Sequence, residues 1–197
     1  MCIVHHALCF KPNFMHNILI VDNESLHTQE IAQLFPGKKI TICPYNKIPD
    51  TKKYDLIILS GGSHYSVLQQ PSHYKKELAL IQNTKIPLVW ICLGCQLIAY
   101  AFGSKLTRMP EKLVKEIEIR NGLDKKDYKV FEAHKYAVTL LWSELKWVAK
   151  SKCGYEIIRH KTRPIWWFQF HPEVDMKHTQ GKKILQEVLT IFDKTHQ

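Results

Sequence analysis

Short runs of aliphatic residues in the first half of the chain constrain the fold more than any other feature. These runs predict strands at residues 17–22, 39–45, 54–60 and 86–92, and helical patterns lie between or after them at residues 25–35, 73–84 and 95–103. Strands that are apolar on both faces and alternate with helices are typical of a parallel sheet covered on both sides. The pattern therefore predicts an α/β domain with a parallel central sheet.

The second half of the chain has a different pattern. Residues 155–160 and 164–170 face each other across a short turn, as the strands of an antiparallel hairpin do. Residues 179–194 show the amphipathic period of a closing helix. We therefore expect a flavodoxin-like three-layer α/β sandwich whose central sheet is mostly parallel, with a small antiparallel hairpin. Residues 15–197 are predicted to form this single domain, and residues 1–14 a poorly structured N-terminal extension.

The chain is basic, but its charges are scattered. It has 197 residues, with 28 Lys and Arg against 18 Asp and Glu, and a formal charge of +10. No stretch matches a nucleic-acid-binding motif, and no apolar run reaches the length of a membrane span. We therefore expect neither a nucleic-acid nor a membrane partner. The six cysteines lie in a chain longer than most disulfide frameworks, and its start lacks secretion-signal features. A cytoplasmic location is therefore favoured.

Cys92 stands where the fourth predicted strand gives way to a helical pattern, in the stretch "ICLGCQL" of residues 91–97. A nucleophile at such a junction is held on a sharp turn, and Gly94 permits that turn. The free N–H groups of the helix start favour a thiolate and can hold a developing oxyanion. The spacing of Cys92 and Cys95 also fits a redox pair, and a buried cysteine is often structural. The spacing by itself leaves these three interpretations open.

Two other loops carry residues that would complete a nucleophilic site. His171 follows a second apolar strand in "QFHPEV" (169–174), and Glu173 is placed to accept a hydrogen bond from its imidazole. Gly61 and Gly62 follow the strand at 54–60, where they expose backbone N–H groups to a close approach. A thiol needs such a base for acyl transfer, so these contexts favour a nucleophilic role for Cys92.

With "SGG" at 60–62, these motifs resemble those of the class I, triad-type glutamine amidotransferases in both order and strand context. The resemblance covers nearly the whole chain. Within the family, the chain most resembles the amidotransferase parts of GMP synthases, in the three stretches at residues 97–108, 132–138 and 171–185.

The resemblance implies a glutaminase without a cofactor. Cys92 would attack the side-chain amide of L-glutamine, His171 would carry the proton, and Glu173 would orient His171. The N–H groups of Gly62 and Leu93 would form the oxyanion hole. The residues implied to hold the substrate are Gly61, Gln96, His134, Lys135 and Tyr136. The ammonia would pass to a separate synthetase subunit. No metal site is expected, because the eleven histidines are dispersed along the sequence.

Two tryptophans depart from the family pattern. Trp90 and Trp167 stand where family members commonly have small residues. Strand alternation predicts that Trp90 projects on the side of Cys92 and Trp167 on the side of His171, with the indoles near each other. Such indoles would make the pocket narrower or drier. A stand-alone γ-glutamyl hydrolase or peptidase, or a non-catalytic binding protein of the same fold, therefore remains an alternative.

Overall fold

The computed structural model describes residues 15–62, 65, 67–108, 114–119 and 127–195. The strands are β1 (Asn17–Asp22), β2 (Lys39–Pro44), β3 (Leu56–Leu59), β4 (Leu88–Ile91), β5 (Lys105–Arg108), β6 (Val114–Ile119), β7 (Asp127–Phe131), β8 (Tyr136–Leu140), β9 (Leu145–Ser151), β10 (Gly154–His160) and β11 (Ile165–Phe168). The α-helices are α1 (Thr28–Gln33), α2 (Lys75–Asn83), α3 (Leu93–Ala101) and α4 (Gly181–Thr195). The predicted extension at 1–14 lies outside the described residues.

One sheet organises the molecule. Its first five strands run in the order β2-β1-β3-β4-β11, and every pair among them is parallel. The order continues antiparallel through β10, β9, β6 and β7, while β8 joins β10 to β5. Helices cover the parallel part on both faces, so the expected flavodoxin-like class with a mostly parallel centre and an antiparallel part is confirmed. The antiparallel part extends well beyond the predicted hairpin of β10 and β11.

The helices differ from prediction mainly at their ends. The predicted helix at 25–35 shortens to α1, because the Ser25 hydroxyl accepts a hydrogen bond from His27 N–H and forms a turn before the helix. Helix α3 begins at Leu93, immediately after Cys92 and two residues earlier than predicted. No helix among the described residues is long and apolar enough to cross a bilayer.

Two hydrophobic cores lie on the two faces of the sheet. One packs α1 and α4 against residues such as Ile20, Ile58 and Phe168. The other packs α2 and α3 against residues such as Leu59 and Trp90. Because successive side chains in a strand point to opposite faces, the continuous apolar runs feed both cores at once.

The two tryptophans occupy paired positions on adjacent strands. Trp167 is the register partner of Trp90, and both belong to the core under α2 and α3, so the predicted proximity of the indoles is confirmed. The prediction that Trp90 lies on the side of Cys92 is wrong, because Cys92 belongs to the opposite core. Alternation applies only to extended backbone, which Cys92 has left. Both indoles are at most 1% exposed, so neither lines an open cleft.

Candidate functional site

Cys92 sits on a strained turn between β4 and α3. Its backbone has φ 52° and ψ −93°, a conformation that residues with a side chain rarely adopt. The turn brings the helix start close to the strand. A Cβ on Gly94 would lie 2.4 Å from Trp90 Cβ, so only glycine fits there. The thiol is thus held at the N-terminus of α3, where the Leu93 N–H is one of the groups without a partner in the helix.

His171 and Glu173 face this thiol from the loop after β11. His171 Nδ1 lies 2.8 Å from Glu173 Oε1, and its side chain also hydrogen bonds to Cys92. Burial by itself lowers the pKa of His171. The charge and hydrogen bond of Cys92, together with those of Glu173, outweigh burial and raise the pKa to about 10. The imidazole is therefore charged at neutral pH beside a sulfur that can carry the matching negative charge.

The glycine pair after β3 closes the site from a third direction. A Cβ on Gly61 would lie 3.2 Å from His171 Cε1 and 3.6 Å from Cys92 Cβ. A Cβ on Gly62 would lie 2.4 Å from the backbone oxygen of Asn23 and 2.9 Å from Leu93 Cδ2. Glycine at these two positions therefore lets the loop lie close to the catalytic pair, and a side chain at Gly62 would clash with the backbone of Asn23.

The segment that carries the predicted substrate-binding residues His134, Lys135 and Tyr136 begins next to the Cys92 thiol. Cys92 Sγ lies 3.8 Å from the backbone oxygen of Ala133, at the geometric limit of a sulfur hydrogen bond. Lys135 is exposed and Tyr136 half-buried beside it. His134, in contrast, is buried and only 4% exposed. The atom of this segment that the structure places near Cys92 is therefore the Ala133 backbone oxygen.

Gln96, in the first turn of α3, is 7% exposed. The Cys95 side chain lies outside the described part of the chain, so a redox pair of Cys92 and Cys95 stays a prediction. The described cysteines Cys43, Cys92 and Cys153 are free thiols.

Sequence reasoning missed a buried polar network that supports the glycine loop. Asn23 donates from Nδ2 to the Ser60 backbone oxygen at 3.1 Å and to Glu77 Oε1 at 3.0 Å. Its own N–H donates to Ser60 Oγ at 2.9 Å. Burial raises the pKa of Glu77 to about 8, although the Asn23 hydrogen bond opposes the rise. Asn23 follows β1 at the same edge of the sheet at which Gly61 follows β3. This position directly after an apolar strand is the sequence signal that could have indicated the network.

Dispersed ligand residues also come together in one place. The ligand atoms of Glu132, His134 and Glu156 lie within 4.8 Å of one another, and all three residues are buried. No sequence pattern indicates this cluster, because β10 brings Glu156 to the β7–β8 loop through a non-local strand pairing.

Comparison with known proteins identifies the class. Residues 19–191 match the family model of the class I glutamine amidotransferases, and the chain belongs to that enzyme family. Its sequence is 34% identical over 184 residues to a glutamine-hydrolysing GMP synthase subunit of Methanocaldococcus jannaschii, an alignment that covers 86% of this chain and 94% of the relative. The corresponding subunit of Pyrococcus abyssi is 36% identical over 185 residues, with 86% and 95% coverage.

Solved structures agree with this assignment. A crystal structure of a protein assigned as a GMP synthase subunit, from Thermoplasma acidophilum, superposes with a TM-score of 0.80 at 26% identity, covering 92% of this chain and 96% of that chain. A glutamine amidotransferase of Thermotoga maritima shares the fold, with a TM-score of 0.67 at 18% identity and coverage of 92% and 86%.

Proposed function

We propose that this chain hydrolyses L-glutamine with Cys92, His171 and Glu173 and passes the ammonia to a separate synthetase, as a GMP synthase-like amidotransferase subunit. The observation that carries the proposal is the meeting of a strained thiol with a carboxylate-oriented imidazole, at an edge lined by glycine backbone. These residues come from three separate strand ends, and each contributes a different part of an acyl-transfer site.

The first half of the reaction forms a thioester. The Cys92 thiolate attacks the carbonyl carbon of the glutamine side-chain amide, and the carbonyl oxygen becomes an oxyanion. We assign the N–H groups of Gly62 and Leu93 to that oxyanion, because the glycine loop contacts the start of α3. When the tetrahedral intermediate collapses, the carbon–nitrogen bond breaks. His171 gives its proton to the leaving nitrogen, which departs as ammonia.

The second half returns the enzyme to its starting state. Neutral His171 takes a proton from a water molecule, whose oxygen attacks the thioester carbon. The carbon–sulfur bond then breaks, and glutamate and the Cys92 thiolate are released beside a charged His171. Glu173 holds one orientation of the imidazole through both halves, since its carboxylate accepts the Nδ1 proton at 2.8 Å.

The proposal also includes a partner chain that uses the ammonia and the residues that bind glutamine. The relatives in Methanocaldococcus and Pyrococcus carry the name of GMP synthase subunits, which supports a partner chain that uses the ammonia. We assign Gly61, Gln96 and the backbone from His134 to Tyr136 to glutamine, since Cys92 Sγ lies 3.8 Å from the adjacent Ala133 backbone oxygen and a Cβ on Gly61 would lie 3.6 Å from Cys92 Cβ. The cytoplasm, where the free thiols Cys43, Cys92 and Cys153 stay reduced, is the proposed location.

Ammonia release from glutamine tests the proposal. The purified chain is assayed alone and with a candidate GMP synthase synthetase subunit, using Cys92→Ala as the test variant and Cys153→Ala as the matched control. We expect wild type and Cys153→Ala to release ammonia, with a higher rate in the presence of the partner. We expect Cys92→Ala to lose at least about 1,000-fold in rate, as removal of a nucleophile does.

Three outcomes would contradict the proposal. Equal rates for Cys92→Ala and Cys153→Ala would remove Cys92 from the chemistry. Turnover of γ-glutamyl peptides without turnover of glutamine would favour the hydrolase alternative. Binding of glutamine without release of ammonia, alone or with the partner, would favour a binding protein.

A further inference from the structure

We propose that Glu132, His134, Glu156 and Gln169 form a buried structural site for one divalent transition metal ion, with Zn²⁺ or Mn²⁺ as the matching ions. The carboxylate oxygens of both glutamates and a ring nitrogen of His134 lie within 4.8 Å of one another. Ligand atoms on one tetrahedral Zn²⁺ at about 2.0–2.1 Å lie about 3.4 Å apart, so a small inward shift completes the contacts. Mixed imidazole and carboxylate donors suit both ions.

The orientation of His134 is that of a metal ligand. Its Nδ1 lies 3.1 Å from the backbone oxygen of Tyr136, and a carbonyl oxygen accepts only, so Nδ1 carries a proton. The other nitrogen, Nε2, points to the carboxylates and lies 3.0 Å from Glu132 Oε2. Metal-binding histidines usually donate one ring N–H to a carbonyl or carboxylate in this way, which fixes the tautomer that exposes the second nitrogen.

Gln169 provides an independent observation. It is fully buried, and neither its amide oxygen nor its amide nitrogen has a hydrogen-bond partner among the described residues. Its N–H donates to the Glu156 backbone oxygen at 2.9 Å, directly across from that residue on the antiparallel strand. Residues opposite each other on antiparallel strands project to the same face, so this backbone hydrogen bond assigns the Gln169 side chain to the face of the sheet that Glu156 occupies. A buried amide oxygen without a partner is costly unless a ligand satisfies it.

A hydrogen bond and a β-bulge also fix the orientation of the Glu156 carboxylate. The Ser151 hydroxyl donates to Glu156 Oε1 at 2.5 Å. Glu156 is the extra residue of a β-bulge, since Tyr155 pairs with Lys150 and Ile157 with Ala149. Bulges re-aim side chains beside functional sites. The bulge and the serine together hold the carboxylate in its place in the cluster.

The position of the cluster gives the ion a structural role. Ala133, whose carbonyl faces the Cys92 sulfur, lies between Glu132 and His134 in the chain. An ion bound by both neighbours and by Glu156 would fix this loop relative to β10. The site is separate from the catalytic residues, and its existence does not depend on the proposed function.

Metal content is the test, measured on the full chain in a Cys92→Ala background so that the catalytic thiol cannot bind the ion. The protein is loaded with Zn²⁺ or Mn²⁺ alone, passed through a desalting column and measured by mass spectrometry of the elements. Glu156→Gln and His134→Ala are the test variants, and exposed His16→Ala is the control. Thermal unfolding with and without a chelator is recorded for each.

We expect about one ion per chain in the background and in His16→Ala, and at least tenfold less at limiting metal in the two test variants. The chelator should lower the unfolding midpoint of the background by several degrees and leave Glu156→Gln unchanged. Glu156→Gln keeps the side-chain shape, so it serves even if His134→Ala does not fold. Less than about 0.1 ion per chain in the background, or equal content in Glu156→Gln and His16→Ala, would overturn the site.

Discussion

Glu77→Gln should make the protein less sensitive to rising pH, because the wild-type carboxyl is buried in its protonated form. The pKa of Glu77 is raised from 4.5 to about 8, mainly by burial, so the folded protein keeps a proton that the unfolded chain has lost. Folding therefore takes up a proton between these two values, and stability falls as the pH rises through that window. A glutamine is neutral at every pH and retains an oxygen that can accept from Asn23.

The expected size follows from the two pKa values. Each pH unit inside the window changes the free energy of unfolding by about 1.4 kcal/mol, and the change integrates to about 3–4 kcal/mol between pH 5 and pH 8. The difference in unfolding free energy between Glu77→Gln and wild type should grow by that amount across the range. Urea unfolding at four or five pH values measures this difference. The contributions of titrating groups that both proteins share cancel when the two free energies are subtracted.

Exposed Glu144→Gln is the matched control, since it makes the same chemical change at the surface. Its pH curve should run parallel to the wild-type curve within about 0.5 kcal/mol. A Glu77→Gln curve that is also parallel to wild type would show that Glu77 does not hold a proton in the folded state, and the reasoning from burial would be refuted.

Three further predictions concern the site and the core. Gly62→Ala places a Cβ 2.4 Å from a backbone oxygen, so steady-state ammonia release should fall about 100-fold or more; a loss under threefold would contradict the packing. Glu173→Gln removes a charge that raises the pKa of His171, so the His171 titration followed by NMR should move to lower pH; an unchanged titration would contradict that cause. Trp90→Ala should reduce the unfolding free energy by about 3–5 kcal/mol in denaturant, whereas Trp142→Ala, at a residue 54% exposed, should cost under about 1 kcal/mol. Equal losses would contradict the burial.

Much of the parallel half could be predicted from the sequence. Strands β1, β3 and β4 are short apolar runs whose period and breakers act over a few residues, so they are found within a residue or two of their predicted ends. The strand-to-helix junction at Cys92 is equally local, as is the short step from His171 to Glu173. Local backbone preference and side-chain spacing are properties of a short stretch, which is why sequence patterns predict them.

The tertiary structure decided what depends on distant partners. The left-handed backbone at Cys92 put the thiol on the face opposite Trp90, which strand alternation predicted wrongly. The partner of Asn23 is Glu77, 54 positions away, and the pairing of β10 with β11 sets Gln169 opposite Glu156. Such contacts depend on strand register, on β-bulges and on how many buried side chains pack together in one core. No short stretch of the chain encodes these, so only the folded molecule shows which side chains meet.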